Sequence, residues 1–413
     1  MVQPILPQQI TTYLHENLDG YLDLLQEIVA INSLTVNQAG VNEVGRLNIA
    51  MFKELGFMAE LVAADNPEYG QHVVLTRLGH STRKVAFVSH LDTVFSAEEE
   101  AQNNFHWRRE GDRIYGPGTM DIKGGTVVIY MVLSALQQFA PTVFEEFTWV
   151  ILINASEEIL AHDFGELCQK HLAENALACL VFEAGTIASG KEMPIVVARK
   201  GMAQFQLKTE GKSAHAGNQH KIGVNAIVQM AELIQRVAAL TDYERDLTFN
   251  VGLVSGGTTI NRVPHFAEAF VEMRVYNPAV FAEAKRNILA LTETNTLRSF
   301  AGGYGSKIMI EPLKECIPWG RNEGSDKLLA IWQAAGELIG AQVTPEARGG
   351  LSDGNWIWPH VPTIDGLGPA GANAHCSEQT ADGQKEQEYA LASSFVPRAT
   401  LSTLGILKLV GAI

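Results

Sequence analysis

Apolar residues in the first half of the chain fall in short, nearly unbroken runs. Residues 85–88, 147–153 and 177–182 have almost no polar interruptions, the pattern of strands buried on both faces. Each run stops at ionisable residues: His90 and Asp92 after the first, Glu157 and Glu158 after the second, Glu183 after the third. Residues 73–78 read as a further strand. Leu18, Leu22, Leu25 and Val29 recur at helical spacing, as do Leu47, Met51 and Leu55, while 126–139 reads as a mostly apolar, buried helix. The Glu- and Asn-rich residues 97–104 read as a loop. This alternation predicts an α/β fold, a mostly parallel sheet with helices on both faces.

The pattern changes near residue 199. Ala203, Phe205 and Leu207 alternate with Gln204, Gln206 and Lys208, which marks a half-exposed strand. A helix over 224–237, strands over 248–254 and 266–276, a helix over 280–291 and a strand near 308 follow. That β-α-β-β-α-β order predicts an inserted ferredoxin-like α+β domain with one open sheet face. A helix over 326–339, a strand over 361–364 and a last helix over 394–410 return to the first pattern. The expected division is 1–198 and 313–413 for the larger domain, 199–312 for the insert.

With 413 residues the chain is too long for one ordinary core. Lys and Arg total 31 against 46 Asp and Glu, a net charge of −15, which argues against nucleic acid or an anionic membrane as partner. No apolar run of membrane-spanning length and no signal-peptide pattern is present, and the four cysteines are widely spaced. The expectation is a cytoplasmic protein with reduced thiols.

The strand ends and adjoining loops supply His90, Asp92, Asp121, Glu157, Glu158, Glu183 and His375. Such ends open into the ligand crevice of an open α/β sheet. Two imidazoles among carboxylates suit zinc or a similar divalent ion bound through nitrogen and oxygen. Five carboxylates gathered without cations would repel one another and take up protons; two divalent ions remove that repulsion.

The pieces Ser-His-Leu-Asp-Thr (89–93), Tyr-Gly-Pro-Gly-x-x-Asp-x-Lys-Gly-Gly (115–125), Ser-Glu-Glu (156–158), Phe-Glu-Ala-Gly (182–185), Gly-Lys-Ser-Ala-His-Ala-Gly (211–217) and Gly-Leu-Gly followed by His-x-x-Glu (366–378) occur in order. In this the chain resembles the co-catalytic zinc peptidases, a family of glutamate carboxypeptidases, acetylornithine deacetylase, succinyl-diaminopimelate desuccinylase and aminoacylases. Arg-Lys-Gly at 199–201, Ile-Asn-Arg-Val-Pro at 260–264 and the Gly-Gly-x-Ser-Asp loop at 349–353 look most like the glutamate carboxypeptidase branch.

The resemblance implies a zinc-exopeptidase-like fold whose insert is a dimerisation, or lid, domain. It implies two divalent ions, zinc ahead of cobalt or manganese. Asp121 would bridge them, with Glu158 and His375 at one and His90 and Glu183 at the other. Asp92 would orient the His90 ring and Glu157 would be the general base. The Asp121–Ile122 peptide would be cis. His215 would reach the site from the partner of a homodimer to steady the oxyanion, with Asn261 assisting. Arg274 and the backbone around Gly350 and Ser352 would hold the substrate's free carboxylate; an ion pair with Glu272 is the alternative for Arg274. The implied reaction is hydrolysis of the amide of an N-acyl or N-peptidyl amino acid. A dipeptidase or tripeptidase, or a silent member that only binds such ligands, are the other readings.

Overall fold

The computed structural model describes residues 7–160 and 162–413. The chain divides into two compact units: residues 1–197, 321–347 and 352–413 form the larger, and 198–320 with 348–351 the smaller.

The larger unit is built on a six-stranded sheet in the order Met58–Ala63, Gln71–Arg77, Thr148–Asn154, Lys84–His90, Ala176–Val181, Thr363–Ile364. The last four strands are mutually parallel and the first two add an antiparallel edge. The period of two along each strand explains the unbroken apolar runs. Val85, Phe87, Trp149, Ile151 and Leu180 enter the core under the long helices, whereas Ala86, Val88, Val150, Leu152 and Val181 enter the core under the helix His162–Leu172. The helix Lys123–Phe139 packs so closely that its first turns admit only glycine. A Cβ on Gly125 would lie 2.0 Å from the Phe182 carbonyl oxygen, and one on Gly124 2.2 Å from that of Thr119. This seats the segment carrying Asp121 against the strand leading to Glu183.

Residues 97–104 depart from the expected loop: Ala97–Gln102 is helical. Ser96 accepts the Glu99 N–H at 3.1 Å as an N-cap, and Glu98, Glu99 and Glu100 suit the positive end of the helix, so acidic residues that read as solvated loop are a first turn. Sequence pattern also gave no sign of the strand pair Glu192–Arg199 and Gln342–Arg348, or of the small sheet Gly371–Ala372, Tyr389–Leu391, Arg113–Tyr115, Arg108–Glu110. The strands of the small sheet, two or three residues long, are too short to show a period.

The smaller unit has four antiparallel strands in the order Thr248–Gly256, Phe266–Val275, Gly201–Glu210, Lys307–Cys316. Its helices Ala226–Ala238 and Pro278–Ala290 share one core with Phe205, Leu207, Ala269, Val271 and Met273. The open face carries a polar ladder in which Gln204 donates to Glu272 at 3.2 Å, Gln206 to Glu268 at 3.1 Å and Lys208 to Glu311 at 2.8 Å. Residue 312, the expected limit, lies inside a strand: Lys307–Cys316 absorbs Pro312 by a register shift between Pro312 and Lys314, and the unit closes at Gly320. Among the described residues no helix is long and apolar enough to cross a membrane.

Candidate metal centre

The larger unit brings seven predicted side chains to the carboxyl ends of its parallel strands. His90 is the last residue of its strand and is 1% exposed. Its Nδ1 lies 2.9 Å from the Asp92 main-chain carbonyl, an acceptor that places the ring proton on Nδ1. Nε2 is thereby left as a lone-pair donor, 3.3 Å from Asp121 Oδ1 and 3.9 Å from Glu183 Oε1. The other Asp121 oxygen, Oδ2, is 3.3 Å from His375 Nε2, which is also 3.3 Å from Glu158 Oε2. Asp121 therefore turns one oxygen to each imidazole. Two groups of ligand atoms result, His90–Asp121–Glu183 and Asp121–Glu158–His375, each with its atoms within 4.8 Å of one another. The Asp121–Ile122 peptide is cis, and His375 has a left-handed backbone, φ 64°.

The electrostatics favour cations here. Hydrogen bonds to Asp121 and Glu158 hold the His375 imidazolium up to about 10. Burial opposes a charge on His90, yet Asp121 and Asp92 raise its pKa well above the ordinary value. Glu158 Oε1 is buried and has no hydrogen-bond partner among the described residues. An orphaned carboxylate oxygen beside a shared carboxylate, with two imidazole nitrogens facing it, is a donor set that fits divalent ions.

Glu157 and Glu158 occupy a single 3₁₀ turn, Glu157–Ile159, after the strand Thr148–Asn154. Side chains suspend this turn by its backbone. The N–H of Ala155 donates to His72 Nδ1 at 3.1 Å and that of Ser156 to Asn154 Oδ1 at 3.0 Å. The next two, of Glu157 and Glu158, donate to Asp92 Oδ1 and Oδ2 at 3.1 and 3.3 Å. Asp92, 0% exposed, also accepts from Thr35 Oγ1 at 2.7 Å. Asp92 also flanks the His90 ring, its main-chain carbonyl 2.9 Å and its carboxylate 3.4 Å from Nδ1, so one residue adjoins the ring and anchors the glutamate turn.

His72, Asn154, Thr35 and Asp353 were not picked out from sequence. Asn154 Nδ2 donates to Asp353 Oδ1 at 2.8 Å, and His72 Nε2 faces Asp163 Oδ2 at 3.2 Å. Burial, with the charges of Asp92 and Asp365, pushes the Asp353 carboxyl up to about 7 despite the Asn154 bond. The signal available was the polar Asn154 closing an apolar strand and Asp353 in the Ser-Asp-Gly segment.

The remaining predicted residues divide between the units. In the smaller unit His215 is exposed, and its Nδ1 accepts the N–H groups of Gly217 and Asn218, both at 3.1 Å. Its neutral ring therefore carries the proton on Nε2. Asn261 lies beside it, its carbonyl accepting the Ala216 N–H at 3.0 Å. Arg274 Nε donates to Glu272 at 2.7 Å, the ion pair considered as its alternative role. The Gly350 carbonyl accepts from Arg199 at 3.1 Å. Ser352 lies in the larger unit, its amide donating to Asn355 Oδ1 at 3.1 Å and its hydroxyl to Asp365 at 2.8 Å, and it is 2% exposed.

Comparisons with known proteins bear on the fold and on the class of protein. Residues 197–298 match the M20_dimer family profile, described as a peptidase dimerisation domain. Carboxypeptidase G2 of Pseudomonas sp. (strain RS-16) is 27% identical over 365 residues, 85% of this chain and 82% of that protein. An acetylornithine deacetylase of Vibrio campbellii is 25% identical over 320 residues, 73% of this chain and 79% of that protein. The crystal structure of aminopeptidase PepT from Bacillus cereus superposes with a TM-score of 0.73 at 22% identity, covering 95% of this chain and 99% of that one. Fold, site and relatives together define a metal-dependent hydrolase. The chain is similar to M20 peptidases in its dimerisation domain and to a carboxypeptidase and a deacetylase over most of its length.

Proposed function

We propose that the protein is a two-metal hydrolase, with zinc the first candidate ion, that cleaves the amide of an N-acyl or N-peptidyl amino acid bearing a free carboxylate. The observation that carries this reading is Asp121, whose two oxygens face two imidazoles at 3.3 Å each, the disposition of a bridging ligand. His90 and Glu183 would hold one ion, Glu158 and His375 the other. Bound there, the ions supply Lewis acidity to the scissile carbonyl and acidify the attacking water.

Glu157 is the general base. Burial pushes its carboxyl well above the ordinary range, with Glu183, Asp353 and Glu158 adding to the shift and His90 opposing it. Such a carboxylate takes a proton from the attacking water and returns it to the leaving amine. The Nε2–H of His215, fixed as a donor by the two N–H groups on Nδ1, suits a developing oxyanion. We assign it, with Asn261, to the partner subunit's side of a homodimer. Support for the dimer is the matched dimerisation domain and the edge strand Thr248–Gly256, where Leu253 is 67% and Val254 64% exposed. Arg274 and the backbone at Gly350 are assigned to the substrate carboxylate. The widely spaced cysteines support a reducing, cytoplasmic setting.

The test is hydrolysis of a panel of N-acyl amino acids, N-peptidyl glutamates, dipeptides and tripeptides by the metal-loaded protein, beside Glu157→Gln. The expected outcome is turnover of acyl or peptidyl amino acids with free carboxylates, and for the variant full metal loading with kcat lower by about 10²–10⁴-fold. Near-wild-type turnover by the variant removes Glu157 from the mechanism; no hydrolysis of any panel member by the loaded wild type overturns the reaction.

A further inference from the structure

The His-x-x-Glu pattern ends at Glu378, but that side chain is 54% exposed and ion-paired with Lys385. The glutamate that meets the metal centre lies farther along the same loop. Glu388 is 0% exposed, and its Oε1 accepts the main-chain N–H groups of Met120 at 3.1 Å and Asp121 at 3.3 Å. Its own N–H donates to the Cys376 carbonyl at 2.7 Å. One residue is thus bonded to the backbone of Asp121 through its side chain and to the neighbour of His375 through its main chain.

Its surroundings hold it firmly. Gln387 Nε2 donates to the carbonyls of Asn103 and Ser377 at 2.9 and 2.8 Å, which closes the base of the loop. The strand Tyr389–Leu391 then pairs with Arg113–Tyr115 on one side and Gly371–Ala372 on the other, the two segments that lead to Asp121 and His375. Glu388 Oε2 is buried with no hydrogen-bond partner among the described residues. A second buried carboxylate directly behind Asp121 is costly, which points to a role in the site rather than in packing alone.

We propose that Glu388 is a positioning residue for the metal centre. It fixes the Asp121 backbone relative to the loop of His375, so that Asp121 Oδ2 and His375 Nε2, 3.3 Å apart, are set to take the same cation. Glu388 belongs to neither group of candidate ligand atoms and acts through Asp121. The inference rests on the two-metal reading above.

The test is zinc titration of chelator-stripped wild type, Glu388→Ala, Glu388→Gln and Glu388→Asp, with thermal unfolding of each metal-free protein. A glutamine oxygen can accept the same two N–H bonds, whereas aspartate is one methylene too short to reach both. Glu388→Ala and Glu388→Asp are expected to bind zinc about 10–100-fold more weakly, the usual effect of removing a residue behind a metal ligand. Glu388→Gln is expected to stay within about threefold of wild type. Glu388→Asp keeps the carboxyl group and serves if the alanine variant does not fold. Wild-type zinc affinity in folded Glu388→Asp or Glu388→Ala overturns the proposal, as does a Glu388→Gln loss equal to that of alanine, since charge rather than positioning would then be at work. Failure of the wild type itself to bind zinc would instead remove the metal reading beneath it.

Discussion

Replacing Asp92 with alanine removes the acceptors for three buried donors at once: the N–H groups of Glu157 and Glu158 at 3.1 and 3.3 Å and the Thr35 hydroxyl at 2.7 Å. Hydrogen bonds to a charged group contribute about 1.5–3 kcal/mol each, and a buried donor left unmatched costs a similar amount. Water entering the space recovers part of this, so the expected loss of unfolding free energy is about 3–5 kcal/mol rather than the full sum. The turn would also lose two of the four bonds that hold its successive N–H groups. A displacement of about 1 Å at Glu157 lowers catalysis by roughly 10²-fold. Thr35→Val is the graded control; it deletes one bond, about 1.5–2 kcal/mol, and leaves the turn anchored. Urea unfolding of the metal-free proteins gives the first quantity, and kcat/KM on an N-acyl amino acid gives the second. The reasoning is refuted if Asp92→Ala lies within about 1 kcal/mol and about threefold of wild type in the two measurements.

Three further outcomes follow from the geometry. Gly125→Ala sets a methyl 2.0 Å from the Phe182 carbonyl oxygen and should lower stability by about 2–3 kcal/mol in denaturant unfolding; a wild-type midpoint would contradict the close packing. Burial alone would raise the Asp163 carboxyl, but His72 and the N–H of Asp65 outweigh it and bring it down to about 2. Because the unfolded value is about 3.9, this stabilisation is complete above that pH and fades as the pH falls towards 2. The stability gap between wild type and Asp163→Asn should therefore be constant above about pH 5, narrow as the pH falls from about 4 to 2, and close only below about pH 2; a gap unchanged across that window contradicts the pairing. Leu253→Asp with Val254→Asp should convert the proposed dimer to monomer in analytical ultracentrifugation, and an unchanged dimer would exclude the edge strand from the interface.

Much of the architecture could be read from the chain because burial on both faces writes continuous apolar runs. The runs ending at His90, Asn154 and Phe182 point to His90, the glutamate pair and Glu183 from sequence alone. The period-two pattern of 203–207 likewise exposed the one-faced sheet of the insert. What stayed hidden depends on contacts between distant residues. Thr35 and His72 belong to no motif, yet each bonds to a group near the turn, and only the fold brings them there. Asp92 reads as a partner for the His90 ring from their spacing of two; that its carboxylate also holds a turn more than sixty residues later is visible only in the fold. Glu388 was masked by Glu378, which has the motif spacing and lies at the surface. The helix Ala97–Gln102 was missed because its polar composition reads as loop unless Ser96 is recognised as a cap.

The convergence of His90, Asp121, Glu158, Glu183 and His375 on a pair of cations is tested most directly by anomalous diffraction from zinc-loaded crystals at the zinc edge. Two peaks are expected, one about 2.0–2.2 Å from His90 Nε2 and a Glu183 oxygen, the other equally near His375 Nε2 and a Glu158 oxygen, with Asp121 bonded to both. Zinc located elsewhere, or absent from these five residues when the protein is fully loaded, would contradict the account.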